Sequence, residues 1–387
     1  MEKLIYLDNG ATSFPKPEEV YRFMDTFYRN FGVNPGRSGY DLCMEAGEVV
    51  EETRKMMTEF FNNDDPDRLC FAHNATDALN LIIWGILQNG DHAVTTTLEH
   101  NSVIRPLYHM EKDHGVEVDH IPFDEKGFVD PDDFRKSIKS NTKLVIISHA
   151  SNVIGTIQPV KEIGRICRER DIIFAVDVSQ SAGKIPIDIK DSNIDIVAFT
   201  GHKSLLGPTG VGGLCVREGI DIRHSRAGGT GVRSAVRTHL DEYPYRMEYG
   251  TINSVGVAGL HRGVKWILDK GIHHIHAHEI KLTRMLRDGL RNIEGVVLYI
   301  QDDLADHIGI LTFNVEGMEA LNTGTILDVD YHIACRTGLH CAPLVHEQIG
   351  TDKIHGSVRF GIGPFNTEKD IQAAIQAVSE IAQMRRS

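Results

Sequence analysis

The sequence predicts an α/β fold built on a largely parallel sheet, because short apolar runs alternate with amphipathic helical patterns in its central part. The runs are typical of buried strands and lie at 92–98, 143–149, 171–178, 195–200 and 211–216. Between them, apolar residues recur at helical spacing from Leu79 to Leu87 and from Val160 to Cys167. Strands and helices in alternation form a parallel sheet that is covered on both faces.

After about residue 255 the pattern changes. A polar, helix-compatible stretch at 256–292 precedes a strand-like run at 309–315, and a last helix opens with a capping-box pattern from Thr367 to Asp370. We therefore predict a large α/β domain at 14–255 and a smaller α+β domain formed by 1–13 and 256–387.

Composition argues against several classes of protein. The chain has 41 basic and 54 acidic residues, a net charge of −13, and no dense lysine or arginine block, so nucleic acid is not expected as a partner. The run "LIIWGIL" at 81–87 is too short to span a membrane. No secretory signal is recognised at the start, and six cysteines in 387 residues do not indicate a disulfide framework. A reduced, cytoplasmic protein is expected.

Ligands of such sheets bind at the carboxyl ends of the strands. Lys203 lies in "TGHKSLLGPTG", directly after the strand predicted at 195–200. A lone lysine there is also compatible with a surface cation, but Thr200 and His202 offer hydrogen bonds to a phosphate, and the lysine can form a Schiff base with an aldehyde. Together they fit pyridoxal phosphate.

Three further strand ends or helix starts agree with this cofactor. Asp177 ends a strand, where a carboxylate needs a partner, and a pyridinium nitrogen would serve; a purely structural aspartate is the alternative. Gln180 could donate to the phenolic oxygen of the ring. Thr76 opens a helix whose N-terminus suits an anion, although it could also be an ordinary cap. His100 could stack on the ring and exchange protons, or simply be hydrogen-bonded.

These motifs, in this order, resemble those of the class V aminotransferase-fold family, and within it the cysteine desulfurases and selenocysteine lyases. The resemblance covers nearly the whole chain. It is carried by "YLDNGAT" (6–12), "NATDALN" (74–80), "LEHNS" (98–102), "SNVIGT" (151–156), "VDVSQ" (176–180), "TGHK" (200–203), "GPTGVGGL" (207–214), "RTGLHCAP" (336–343) and "SVRFGIGPFNTEKDI" (357–371). It implies the fold of type I pyridoxal phosphate enzymes.

The resemblance also implies roles for individual residues. Lys203 would hold the cofactor, Asp177 would face the ring nitrogen, and His100 would stack on the ring. Asn152 and Gln180 would contact the oxygen side of the ring. The phosphate would be bound by four residues: Ala75, Thr76, Thr200 and His202.

Other residues implied by the resemblance concern the substrate and a second subunit. Thr251 corresponds to a residue lent to the phosphate site of the partner, which implies a homodimer. Arg359 matches the arginine that binds the substrate carboxylate, and Asn34 and Arg37 remain from a substrate-binding segment. Histidines that flank this arginine in short-loop relatives are replaced by Gly36 and Tyr40.

Cys341 would attack the sulfur of the substrate, carry it as a persulfide and leave alanine. "RTGLHCAP" resembles the short-loop branch of the family, which implies a dedicated sulfur-acceptor protein. Leu339 replaces a histidine of that branch. The chemistry needs a thiolate, for which His340, Arg336 and Arg359 are candidate cationic neighbours.

Alternatives remain open at this stage. Four residues could in principle bind zinc: Cys335, Cys341, His332 and His340. They lack the paired-cysteine spacing of zinc sites, so no metal is expected. The substrate could be selenocysteine instead of cysteine, or the enzyme could be another β-lyase or an aminotransferase. A scaffold that traffics sulfur with little turnover is the non-enzymatic alternative.

Overall fold

The computed structural model describes residues 4–36 and 39–384. Its strands are β1 (Ile5–Tyr6), β2 (Leu69–Ala72), β3 (His92–Thr96), β4 (Glu117–Ile121), β5 (Thr142–Ser148), β6 (Ile173–Asp177), β7 (Ile196–Thr200), β8 (Gly212–Val216), β9 (Val296–Leu298), β10 (Ile310–Val315), β11 (Ile333–Ala334), β12 (Arg336–Gly338) and β13 (Ser357–Gly361). Its α-helices are α1 (Glu18–Phe31), α2 (Asp41–Phe60), α3 (Ala75–Ile86), α4 (Asn101–His114), α5 (Pro131–Ser137), α6 (Val160–Glu169), α7 (Ser254–Lys270), α8 (Ile272–Arg291), α9 (Ala320–Tyr331), α10 (Pro343–Gln348) and α11 (Glu368–Met384).

The main sheet has seven strands in the order β2-β8-β7-β6-β5-β3-β4. Strands β4, β3, β5, β6 and β7 are parallel neighbours, and only β8 runs against both of its neighbours. The five strands predicted from apolar runs are therefore confirmed. Gly212 lets β8 approach the start of α3, because a Cβ atom there would lie 2.8 Å from the Cα atom of Asn74.

Both faces of the main sheet are covered, as its apolar strands require. Alternate residues of β5 enter different clusters: Val145 and Ile147 pack in the larger one, and Leu144 and Ile146 pack in the one beneath α3 and α4. This alternation is the period of two that a strand imposes on its side chains.

A second, antiparallel sheet has the order β12-β13-β10-β9 and packs with α8, α9 and α11. The predicted helical stretch at 256–292 is two helices, α7 and α8, divided at Gly271, whose φ is +84°. The capping box of α11 is confirmed: Asp370 accepts from the Thr367 amide at 2.8 Å, and Thr367 Oγ1 accepts from the Asp370 amide at 3.3 Å.

Strand β1 joins the beginning of the chain to this second part by pairing with β11. The boundaries at residues 14 and 255 stay a prediction. Among the helices that the structure describes, none is both long and apolar enough to cross a membrane.

A buried ion pair links α2 to the segment before α7. Arg54 donates to Glu248 through both terminal nitrogens, at 2.7 and 3.1 Å, and Glu248 also accepts from the Phe71 amide at 2.7 Å. Arg54 and Glu248 are both buried, whereas Glu51, a second partner of Arg54 at 3.3 Å, is exposed. The Arg54 guanidinium therefore has one buried carboxylate partner, Glu248, and one exposed carboxylate partner, Glu51.

We expect Glu248→Gln to lower the free energy of unfolding by about 3 kcal/mol, because it leaves the buried guanidinium with the exposed Glu51 as its remaining carboxylate partner. Glu51→Gln is the matched control and should cost at most about 1 kcal/mol, as is usual for an exposed pair. Urea unfolding at pH 7 measures both values. Similar losses in the two variants would contradict the assignment of stability to the buried pair.

Candidate active site

A cavity of 340 Å³ opens at the carboxyl edge of the parallel strands. Because β3, β5, β6 and β7 all end at this edge, the residues that follow them converge there. Most of the residues predicted for the site line this one cavity: Ala75, Thr76, His100, Asn152, Asp177, Gln180, Thr200, His202, Lys203, Cys341 and Arg359.

Three predicted residues do not line it. Thr251 is exposed and borders a separate small pocket, and Asn34 is exposed beside a third cavity. Arg37 lies outside the described residues. The positions where histidines are replaced, Gly36, Tyr40 and Leu339, are exposed and also lie outside the lining of the central cavity.

Lys203 and Asp177 both line the cavity and act on each other electrostatically. Burial lowers the pKa of Lys203, the Asp177 carboxylate opposes this shift, and the Arg359 charge adds to it. Asp177 ends β6, is buried, and accepts from the Ser179 amide at 2.9 Å. The lysine amine is therefore shifted toward its neutral, nucleophilic form while it keeps a carboxylate nearby.

Unpartnered polar atoms lie at one end of the cavity. Thr200 Oγ1 and His202 Nδ1 are buried and have no hydrogen-bond partner within the described residues. The lowered pKa of His202, about 4, has burial as its main cause, followed by the charges of Lys203 and Lys16. A neutral imidazole and a hydroxyl can each donate to an anion placed there.

The first turn of α3 lies beside these atoms. Asn74, not Thr76, caps the helix, because Asn74 Oδ1 accepts from the Asp77 amide at 2.9 Å. The alternative role of Thr76 as an N-cap is therefore wrong. Thr76 Oγ1 instead lies 2.7 Å from Ser102 Oγ and, with Ala75, lines the cavity. The helix N-terminus thus faces the same place as Thr200 and His202.

His100 caps α4 and also faces the cavity. Its Nδ1 accepts from the Ser102 amide at 3.1 Å, which leaves the ring proton of a neutral imidazole on Nε2. Burial, aided by the Lys203 charge, lowers the pKa of His100 to about 4. Both readings of His100 from the sequence are compatible with this geometry.

Arg359 lies on β13, lines the same cavity and is buried. It donates to Asp8 Oδ1 at 3.1 Å and to the Asn152 carbonyl at 3.0 Å, while its Nε has no partner within the part of the chain that the structure describes. Asp8 was missed in the sequence because it lies 351 residues from its partner. Burial lowers the pKa of Arg359, and Asp8 opposes that shift.

The two amides predicted beside the ring oxygen are held by backbone carbonyls. Asn152 Nδ2 donates to the His340 carbonyl at 2.6 Å, and Gln180 Nε2 donates to the Gly10 carbonyl at 2.9 Å. Gly10 and Ala11, which also line the cavity, were not singled out by the sequence reasoning. The quoted motif "YLDNGAT" contains both and was the available signal.

The N-terminal segment also holds the backbone next to Lys203. The His202 carbonyl accepts from Thr12 Oγ1, the Ser13 amide, Ser13 Oγ and Lys16 Nζ, at 3.0 to 3.2 Å. Burial lowers the pKa of Lys16 to about 8. These contacts were missed because no pattern in the sequence links residues 12–16 to residue 202.

Cys341 lies in the short segment between β12 and α10. His340 and Cys341 both have positive φ, +49° and +58°, and the Cys341 carbonyl accepts from the Asn101 amide at 2.7 Å. Cys341 is exposed, whereas the other cysteines are buried or half-buried. As a thiolate it would raise the pKa of both Lys203 and Arg359, so its sulfur is close enough to interact with their charges.

His340 is not the cation that the sequence suggested. It is buried, and burial together with the Arg359 charge lowers its pKa well below the ordinary value. The cationic neighbours of Cys341 are instead the arginines, since Arg336 and Arg359 line the same cavity. Within residues 4–36 and 39–384, no cluster of three or more histidine, cysteine or acidic side chains is placed to hold a metal ion.

The chain is similar to known proteins along nearly its whole length. Residues 5–374 match the family described as Aminotransferase class-V. The chain belongs to this family. A probable cysteine desulfurase of Pyrococcus abyssi is 34% identical over 394 residues, covering 100% of this chain and 96% of the relative.

Solved structures of class-V aminotransferase relatives share the fold. The apo structure of a cysteine desulfurase from Thermococcus onnurineus NA1 has a TM-score of 0.92 and 34% identity, covering 98% of this chain and 95% of that one. The cysteine desulfurase CsdA of Escherichia coli, described as an S-sulfonic acid, has a TM-score of 0.89 and 25% identity over 98% and 95% of the two chains. The predicted fold, that of type I pyridoxal phosphate enzymes, is therefore confirmed.

His149 lies behind the cavity wall and makes stability depend on pH. It is buried, with Nδ1 2.9 Å from Ser181 Oγ, and burial lowers its pKa to about 4. Between pH 6.5 and 4 the unfolded chain binds a proton at this residue that the folded chain does not bind. The free energy of unfolding therefore falls as the pH falls through this window.

We expect His149→Gln to reduce the loss of unfolding free energy between pH 7 and pH 5 by about 1–2 kcal/mol. Urea unfolding at both pH values measures the difference. His273→Gln is the control, because it removes an exposed histidine and leaves the buried His149 in place. An unaltered pH dependence in His149→Gln would show that this residue does not titrate as stated.

Proposed function

We propose that the protein is a pyridoxal phosphate-dependent cysteine desulfurase that converts L-cysteine to L-alanine and takes the sulfur onto Cys341 as a persulfide. The observation that carries this proposal is the convergence of Lys203, Asp177, Arg359 and the exposed Cys341 thiol on one cavity. The names of the relatives support it, because the similar chains and structures are described as cysteine desulfurases or probable ones.

The residues present fit the cofactor. The unpartnered Thr200 Oγ1 and His202 Nδ1, with the first turn of α3, suit a phosphate, and Asp177 suits a pyridinium nitrogen. Lys203 would hold the aldehyde carbon and His100 would lie on the ring. When bound, the cofactor supplies an electron sink for bonds broken at the substrate α-carbon.

The amides of Asn152 and Gln180 would adjoin the oxygen side of the ring. Both are fixed by backbone carbonyls, so they would form part of a rigid wall with their remaining polar atoms available. A rigid wall favours one orientation of the ring, which is the protein's contribution to cofactor chemistry.

Arg359 would bind the substrate carboxylate. Its Nε has no partner, and a guanidinium can add a carboxylate to its existing contacts with Asp8 and Asn152. The substrate side chain would then extend toward the Cys341 loop. The thiolate attacks the substrate sulfur, an S–S bond forms, and the C–S bond breaks with its electron pair left on carbon.

A homodimer and a sulfur-acceptor protein complete the proposal. Thr251, exposed and outside the cavity of its own chain, would contribute to the phosphate site of a second copy. Asn34 and Arg37 are proposed for substrate binding in that assembly. The acceptor would take sulfur from the exposed Cys341, and we place these steps in the cytoplasm.

Selenocysteine is the second candidate substrate, because the replacement of family histidines by Gly36, Tyr40 and Leu339 bears on which substrate is preferred. A selenol is a better leaving group and does not need capture by a thiol. A panel of cysteine, selenocysteine, cysteine sulfinate and cystine, with alanine and the released sulfur or selenium as readouts, separates the two activities. No turnover of any of them would favour the scaffold, and turnover without chalcogen release would favour an aminotransferase.

Lys203→Ala should abolish the yellow absorbance that borohydride bleaches in the wild-type protein, because the variant has no amine for the aldehyde. Absorbance spectra after reconstitution with pyridoxal phosphate measure the effect. Lys190→Ala, at an exposed lysine, is the control and should keep the absorbance. A colourless wild-type protein that cannot be reconstituted would refute the cofactor site.

Cys341→Ser should lower sulfide release from cysteine by ~10²-fold or more, as expected when a nucleophile is removed, while the cofactor spectrum stays normal. Selenocysteine turnover should survive. Cys335→Ser is the control in the same region, since Cys335 does not line the cavity. Equal sulfide release by Cys341→Ser and the wild type would exclude Cys341 as the nucleophile.

A further inference from the structure

A lysine that the proposed reaction does not use lies next to His202. Lys16 Nζ donates three hydrogen bonds, to the Ser13 carbonyl at 3.0 Å, to Ser13 Oγ at 2.9 Å and to the His202 carbonyl at 3.1 Å. These bonds use all three N–H groups of an ammonium, and all three acceptors are neutral oxygens. The side chain is therefore held in one place as a cation.

The charge of Lys16 is not balanced by an acidic side chain. Burial lowers its pKa to about 8, and no charged group among the described residues adds to that shift or opposes it. Because this pKa is above 7, the amine is still protonated at neutral pH. A half-buried ammonium without a carboxylate partner is costly, so we expect an anionic ligand in its neighbourhood.

His202 connects this charge to the cavity. Its carbonyl accepts from Lys16, its side chain lines the cavity, and its buried Nδ1 has no hydrogen-bond partner in the part of the chain that the structure describes. The charges that act on the ring are those of Lys203 and Lys16. Lys16 does not itself line the cavity, but its charge reaches a side chain that does.

An anion bound beside His202 would need such a charge. The ring is neutral, with a pKa of about 4, and Thr200 offers only a hydroxyl. The first turn of α3 contributes about half an elementary charge. A phosphate monoester carries about −1.5 to −2 at pH 7, so these groups alone leave most of its charge unbalanced.

The other cations that line the cavity have different tasks. Lys203 would be bonded to the aldehyde carbon of the cofactor, so it is not available as a separate ion for the phosphate. Arg336 and Arg359 act on the ring of His340, beside Cys341. Lys16 is the remaining cation whose charge acts on His202.

We propose that Lys16 supplies the fixed positive charge for the cofactor phosphate, as a positioning residue that acts through His202. It makes the site select a phosphorylated aldehyde over the same aldehyde without the phosphate. The inference rests on the proposed function, because it names what selects the phosphate in the cofactor site given there. The hydrogen bond to the His202 carbonyl keeps the cation next to the residue that would contact the anion.

The test compares the affinities of the full-length protein, freed of cofactor with hydroxylamine, for pyridoxal phosphate and for pyridoxal at pH 7. The yellow absorbance reports binding of both. Because the two ligands differ only in the phosphate, the ratio of their dissociation constants isolates its contribution. Lys16→Gln removes the charge and keeps a donor for the His202 carbonyl. We expect it to lower the preference for pyridoxal phosphate by about tenfold, the scale of one partly screened charge.

A matched variant and a control accompany this measurement. Lys16→Arg keeps the charge and should keep the wild-type preference, as should Lys190→Gln at an exposed lysine. Lys16→Met is a second neutral variant in case Lys16→Gln folds poorly. Loss of affinity for both ligands by the same factor would show that Lys16 only holds the backbone and would overturn the proposal. An unchanged preference in the neutral variants would also overturn it.

The test separates this inference from the proposed function, because binding needs no turnover. If the wild type releases no sulfur from cysteine but the preference falls in Lys16→Gln, the function fails and the inference stands. Normal sulfur release with an unchanged preference refutes the inference alone. If neither aldehyde binds the wild type, the cofactor site fails, and calorimetry with inorganic phosphate decides the inference: weaker binding in Lys16→Gln supports it, and equal binding refutes it.

Discussion

The buried guanidinium of Arg359 is the contact on which the cavity depends, because it joins three distant parts of the chain. It lies on β13 of the second sheet, pairs with Asp8 near the N-terminus, and donates to the carbonyl of Asn152 beyond β5 of the main sheet. Burial raises the pKa of Asp8, and the arginine opposes that shift. A buried cation needs such partners, so the two sheets and the N-terminal segment are held at fixed positions around the cavity.

The position of Arg359 also affects the protonation of Lys203. Burial favours the neutral amine of Lys203, Asp177 favours the ammonium, and the Arg359 charge adds to the effect of burial. The backbone next to the lysine is held by the N-terminal segment through the His202 carbonyl. The same segment therefore supplies Asp8 to Arg359 and hydrogen bonds to the backbone that precedes Lys203.

The parts of the site that could be predicted are those encoded locally. Asp177, Thr200 and Lys203 follow apolar runs, and parallel strands must bring their carboxyl ends to one edge. The pairing of Arg359 with Asp8 and the contacts of Lys16 join residues far apart in sequence, and no local pattern encodes them. The protonation state of His340 could not be predicted either. The sequence suggested a cation beside Cys341, whereas burial lowers the pKa of His340 and favours the neutral ring.

The geometry of the Cys341 loop limits how sulfur can leave. The carbonyls of His340 and Cys341 are bound by Asn152 and by the Asn101 amide, so the loop is held on both sides over a few residues. A cysteine on such a loop cannot carry a persulfide far from the cavity. Because the Cys341 side chain is exposed, an attacking thiolate can approach it from solvent. The proposed acceptor must therefore bring its own thiolate to the mouth of the cavity, and specificity for that acceptor would reside in the surface around the loop.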